Sequence, residues 1–164
     1  MKMTTPFSRS TISEATLIRL IQAYYDAVDS LDADRIANLY LRSPSTALQF
    51  NADPPVVTVE AIKAFSAQFT RAVAGIKHSM IEIWTNPLLG DVVPVDLPSP
   101  RSDSTVTVVS TALPTFSVRN EAGLMQIALP ATSIFTIDKQ TEKFLSVHNM
   151  FDIAKVYAAV QSST

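Results

Sequence analysis

Apolar positions in the first third of the chain recur with a helical period. Leu17, Ile21, Tyr24 and Val28 form one stripe of an amphipathic helix. Just ahead of it, Thr11-Ile-Ser-Glu14 has the form of a capping box. Asp32 is placed to cap a short second helix that turns Ile36, Leu39 and Tyr40 inward. The segment "STALQFN" (45–51) predicts a short strand, which "ADPPV" breaks. Thr58 predicts the cap of a third helix, with Ile62, Phe65, Phe69 and Val73 on a shared face. From residue 76 the period shortens. Strands are predicted over 76–85, 105–118, 124–137 and 143–152, with turns at 119–123 and 138–142.

Residues 1–10 read as a loose arm. The stretch 86–104 holds four prolines and reads as a surface excursion, placed to close a site from above. What remains, 11–160, is a single α+β domain. Three N-terminal helices must lie on one face of a curved antiparallel sheet, because their stripes need cover. A strongly bent sheet leaves a conical hollow beneath the helices, the natural place for a small molecule.

Two strands carry chemistry. Strict alternation along "AGIKHSMIEIW" (74–84) puts His78, Met80, Glu82 and Trp84 on one face, the mixed lining of a half-wet pocket. In the last strand Leu145, Val147, Asn149 and Phe151 share a face, and Asn149 is its one polar member. A buried amide without partners costs ~1–3 kcal/mol, so Asn149 must bond either an internal group such as Tyr24 or a ligand oxygen. An amide is no base, so its functional role would be to orient or polarise. His78 is either a hydrogen-bonded structural ring or a proton carrier near neutrality. Tyr24 is either core or an oxygen-binding hydroxyl. Asp29 ends the first helix, where the dipole does not favour a carboxylate, so a local partner is expected. His148 alternates away from Asn149, toward the outer face.

Composition narrows the field. The 164 residues are 47% hydrophobic and 17% charged, with net charge −2 and no cysteine. The mean hydropathy of +0.20 is high for a small soluble domain and leaves apolar surface for a ligand or partner. No basic stripe marks a nucleic-acid surface. Without cysteine there is no thiolate nucleophile and no sulfur-based zinc site. No secretory signal or membrane span is legible, and the expectation is a soluble cytoplasmic protein.

"IQAYYDAVDSLDADRIANLY", "FNADPPVVTVEAIKAF", "AGIKHSMIEIW", "LPATSIFTI" and "FDIAKVYA" follow the order and spacing of the nuclear transport factor 2-like superfamily. Over about 14–158 the chain most resembles its SnoaL-like branch of small-molecule isomerases, cyclases and dehydratases. The resemblance implies a cone-shaped α+β barrel, dimeric through the outer sheet face, without metal or organic cofactor. It also implies a natural-product pathway. Tyr24 falls where ketosteroid isomerase-type members keep an oxyanion-binding tyrosine. Their base aspartate would fall near Gln49 or Phe50, where no carboxylate stands, and their protonated acid near Thr132. Asp29 and His78 match pocket positions of scytalone dehydratase-like members, with Val28 in place of a tyrosine. Asn149 stands where limonene epoxide hydrolase-like members keep an aspartate. The expected catalytic set is His78, Asp29, Tyr24 and Asn149. Tyr40, Phe50, Phe65, Met80, Trp84, Thr132 and Phe151 are the expected substrate-binding walls. The leading reading is a cofactor-free acid/base enzyme. The alternative is a protein-binding scaffold of the nuclear transport or messenger RNA export type.

Overall fold

The computed structural model describes residues 12–85, 104–120 and 123–161. The arm at 1–10 and the excursion at 86–104, except Ser104, lie outside them. The order of elements is α1 (Glu14–Asp29), α2 (Ala33–Ala37), β1 (Ala47–Phe50), β2 (Val56–Val57), α3 (Val59–Ala72) and β3 (Gly75–Trp84). These are followed by β4 (Thr105–Asn120), β5 (Gly123–Ala128), β6 (Ala131–Asp138), β7 (Lys143–Met150) and α4 (Ile153–Gln161). The first cap is Ser13, whose hydroxyl accepts from the Thr16 amide, and not the expected Thr11. Asp32 and Thr58 cap α2 and α3 as predicted.

The strands form a seven-stranded sheet in the order β2-β1-β7-β6-β4-β3, with β5 paired to β4 alone. The sheet is mixed rather than purely antiparallel, because β1 runs parallel to β7. The strand expected over 124–137 is two strands. Pro130 lies between them, unable to donate a ladder hydrogen bond. The final segment adds a helix, α4, that the alternation pattern did not predict.

Two β-bulges decide which side chains face inward. Ser79 pairs with Leu113 and Glu82 with Thr111, so β3 carries one extra residue there. Met80 takes it up in left-handed conformation, φ 50°. The inward parity, Ile76 and His78 before the bulge, becomes Ile81 and Ile83 after it. In β7, Ser146 faces Thr136 while Phe144 faces Ile137, leaving Leu145 as the extra residue. Phe144, fully buried, takes the inward place expected of Leu145.

Two apolar clusters result. The larger packs the α1 stripe, with Leu20, Tyr25 and Ala27 added to it, onto Leu48, Val108, Phe135, Phe144 and Val147 of the concave sheet face. The smaller sets Val156 and Ala159 of α4 against Phe116 and Val118 of β4 and Ile76 of β3. Val28 packs against both. Among the described residues no helix is long and apolar enough to cross a membrane.

Candidate active site

A hollow opens along the seam between the two clusters. Its walls come from α1 (Tyr24, Tyr25, Val28), α3 (Phe65, Ser66, Phe69, Thr70) and the concave face of the sheet. They include Phe50, Ile76, His78, Phe116, Ser133, Asn149 and Phe151. Room for the centres of water-sized atoms amounts to ≈ 60 Å³. That exceeds the ~10–15 Å³ that a single water needs. Among the described residues no Lys, Arg, Asp or Glu reaches the lining.

One end is aromatic. Phe116 and Phe151 stack with centroids 5.6 Å apart, and Phe50 lies 5.3 Å from Phe65. Asn51 fixes Phe151 in place: its amide brackets the Phe151 backbone, donating to the carbonyl at 2.9 Å and accepting from the N–H at 3.1 Å. His148, on the other side of β7, binds the Asn51 carbonyl at 2.6 Å.

The other end is polar. Asp29, at the last position of α1, accepts both the His78 backbone N–H, 3.1 Å from each carboxylate oxygen, and the ring Nδ1 at 2.6 Å. That is the local partner its helix position required. The carboxylate accepts only, so Nδ1 carries the proton and Nε2 keeps a lone pair. Nε2 has no hydrogen-bond partner among the described residues. Burial pushes the His78 pKa below its usual value, while the Asp29 hydrogen bond and charge pull the other way. The net lowering keeps the ring neutral at pH 7. The Tyr25 ring lies against the imidazole, centroids 4.6 Å apart.

Asn149 binds Tyr24 as the sequence reading allowed. Its Nδ2 donates to the Tyr24 hydroxyl at 3.1 Å, and its Oδ1 accepts from Ser133 Oγ at 2.7 Å. Burial raises the Tyr24 pKa to about 12, with the Asn149 hydrogen bond opposing it, so Tyr24 is a proton donor at neutral pH. Tyr40 is buried behind Tyr24 and outside the hollow. Its hydroxyl makes no well-formed hydrogen bond and is held protonated by burial and by the neighbouring Tyr24.

The structure therefore brings His78, Asp29, Tyr24 and Asn149 to one hollow, Asp29 from behind His78. Phe50, Phe65 and Phe151 line it as well. Met80, Trp84 and Thr132 do not. The bulge turns Met80 (77% exposed) and Trp84 (43% exposed) to solvent, and Glu82 with them. Thr132 faces the outer side of β6, and its neighbour Ser133 takes the inward position. Ser133, Tyr25 and Phe69 were missed. Each had a signal: Ser133 alternates with the buried Phe135 and Ile137, Tyr25 lies one turn beyond Ile21, and Phe69 shares the stripe of Phe65.

These features define a class of fold, a curved sheet packed around helices with a hollow between them, and solved structures share it. Three solved structures carry the likeness. A candidate SnoaL-like polyketide cyclase from Shewanella denitrificans superposes with TM-score 0.65 at 15% identity, over 92% of this chain and 99% of that one. The BvnE pinacolase of Penicillium brevicompactum gives TM-score 0.65 at 10% identity, over 94% and 97%. A candidate scytalone dehydratase from Novosphingobium aromaticivorans gives 0.61 at 16%, over 84% and 82%. At such identities the likeness establishes the fold, and chemistry has to be argued from the site. No family model and no curated protein matches the sequence.

Proposed function

We propose that the hollow is a cofactor-independent acid/base site acting on a slim, neutral, apolar molecule that carries oxygen. The reaction class is isomerisation, cyclisation or dehydration, of the kind natural-product pathways use. One observation carries this reading: an imidazole oriented by Asp29 at 2.6 Å lines an apolar hollow, and its Nε2 has no hydrogen-bond partner among the described residues. His78 Nε2 would take a proton from carbon beside a carbonyl. The electron pair moves to the carbonyl oxygen, and Tyr24 with Asn149 stabilises the charge that develops there. Asp29 stabilises the imidazolium, which returns its proton to another carbon or to a departing hydroxide, giving an isomer or water. Among the described residues the lining is uncharged, which disfavours an ionic substrate, because those side chains would not replace the lost hydration.

The scaffold alternative expects side chains to fill the interior, and the hollow weighs against it. We further assign self-association to the outer sheet face. There Trp84, Val109, Ile134 and His148 stand in one cross-strand row.

The test uses 5-nitrobenzisoxazole, a planar neutral molecule whose ring opens when one C–H proton is removed. His78→Ala should slow its opening at least ~100-fold relative to the parent protein. Equal rates in a folded variant would remove His78 from the mechanism.

A further inference from the structure

The face of α3 that meets the hollow carries one anomaly. Ile62, Phe65, Phe69 and Val73 form its apolar stripe, and Ser66 stands on the same face, one turn beyond Ile62. Only 5% of Ser66 is exposed, and it lines the hollow between Phe65 and Phe69. Its hydroxyl has no hydrogen-bond partner among the described residues. Every other polar side chain of the lining bonds a described group. Asn149 bonds Tyr24 and Ser133, Tyr25 bonds Ser110, and His78 Nδ1 bonds Asp29. Thr70, one turn further along α3, turns its hydroxyl back to the Ala67 carbonyl at 3.3 Å, the usual refuge of a hydroxyl on a helix. Ser66 does not fold back in this way. Among the described residues only the Tyr40 hydroxyl is both unpartnered and sealed from open space, so the Ser66 oxygen borders the hollow that the residue lines.

A hydroxyl in such a place is costly to the empty protein. Buried polar groups are paired as a rule, because an unmade bond forfeits the hydration given up on folding. A water held there would need two or more polar partners, and the rings of Phe65 and Phe69 on either side offer none. Alanine would suit the helix better and would bury no polar atom. The group that satisfies Ser66 is an oxygen brought by the ligand. A hydroxyl both donates and accepts, so it pairs with a carbonyl or with another hydroxyl. We propose that Ser66 is a specificity-determining residue that binds a second oxygen of the ligand. His78, Tyr24 and Asn149 hold one oxygen at the polar end, and Ser66 meets the other from α3. The substrate class narrows to slim, neutral molecules with oxygen at two positions. This rests on the reading of the hollow as a ligand site, and it does not depend on turnover.

The experiment uses matched pairs of small rings in which a hydroxyl replaces a methyl group of similar size: p-cresol against hydroquinone, and m-cresol against resorcinol. Dissociation constants are measured by nuclear magnetic resonance titration of the full-length protein and of Ser66→Ala. The affinity ratio of diol to cresol should fall ~5-fold or more in Ser66→Ala for at least one pair, the usual worth of one hydrogen bond. A serine that only filled space would shift both members of a pair alike. A smaller fall in both pairs would overturn the proposal, and so would a parent protein that binds none of these rings. Should Ser66→Ala not fold, Overhauser contacts in the parent protein decide. Ring protons of the bound diol should reach the Ser66 β-protons, and contacts confined to other walls of the hollow would overturn the proposal. A protein that keeps the diol preference but fails to open 5-nitrobenzisoxazole would lose the acid/base reading alone, so the two readings fail separately.

Discussion

At the scale of single residues, the site depends on a balance at His78. Burial lowers its pKa and Asp29 opposes the shift, with burial the larger effect. The folded pKa therefore lies below the unfolded value of ~6.5. Between the two values the unfolded chain holds more protons, so stability rises with pH through that window and is lost on acidification. Urea unfolding at pH 7.5 and 5.5 should show a larger acid loss for the parent protein than for His78→Gln, whose amide does not titrate. Equal losses would contradict the lowered pKa. The residue identities were legible. Asp29 at an unfavourable helix end and Asn149 alone on an apolar face are both anomalies that local physics resolves by pairing. Ser133 was legible in principle, since its parity with Phe135 and Ile137 places it inward. Reading by family position put Thr132 there instead, one residue off, and in a strand one residue is the opposite face.

At the scale of elements, helices were read more securely than strands. Stripes at helical spacing and side-chain caps at Asp32 and Thr58 are local signals. Bulges are not, because their cause lies in the partner strand. The extra residue at Met80 reverses the inward parity of β3, which separates His78 from Met80, Glu82 and Trp84. The mixed face that alternation predicts does not exist. Met80 at φ 50° holds a left-handed conformation that costs a non-glycine residue roughly 1–2 kcal/mol. Met80→Gly should therefore leave thermal stability unchanged or raise it by up to ~1 kcal/mol. Deleting Met80 would remove the extra residue and restore strict alternation with Ile81 and Ile83 still inward, so the deletion variant should stay folded. A loss of more than ~3 kcal/mol, the cost of exposing two large aliphatic side chains, would refute the bulge.

At the scale of the whole molecule, the cone was legible because three amphipathic helices followed by alternating strands leave few other ways to bury every stripe. The parallel β1–β7 pairing and α4 were not, since both depend on contacts between distant parts of the chain. They matter for the site: α4 helps build the second cluster, and the hollow lies at the seam between the two. On the convex side Trp84 is exposed, and it belongs to the face proposed above for self-association. Sedimentation should give a dimer for the parent protein and a monomer for Trp84→Lys, and a monomeric parent would refute that surface. The claim on which the rest turns is that an uncharged imidazole works as a base inside this hollow. The pH–rate profile for opening of 5-nitrobenzisoxazole tests it most directly. The account predicts a rate that is full at neutral pH, falls to half at a pH below ~6.5 and vanishes in His78→Ala. A rate that rises only above neutrality, or one that survives loss of the ring, would contradict it.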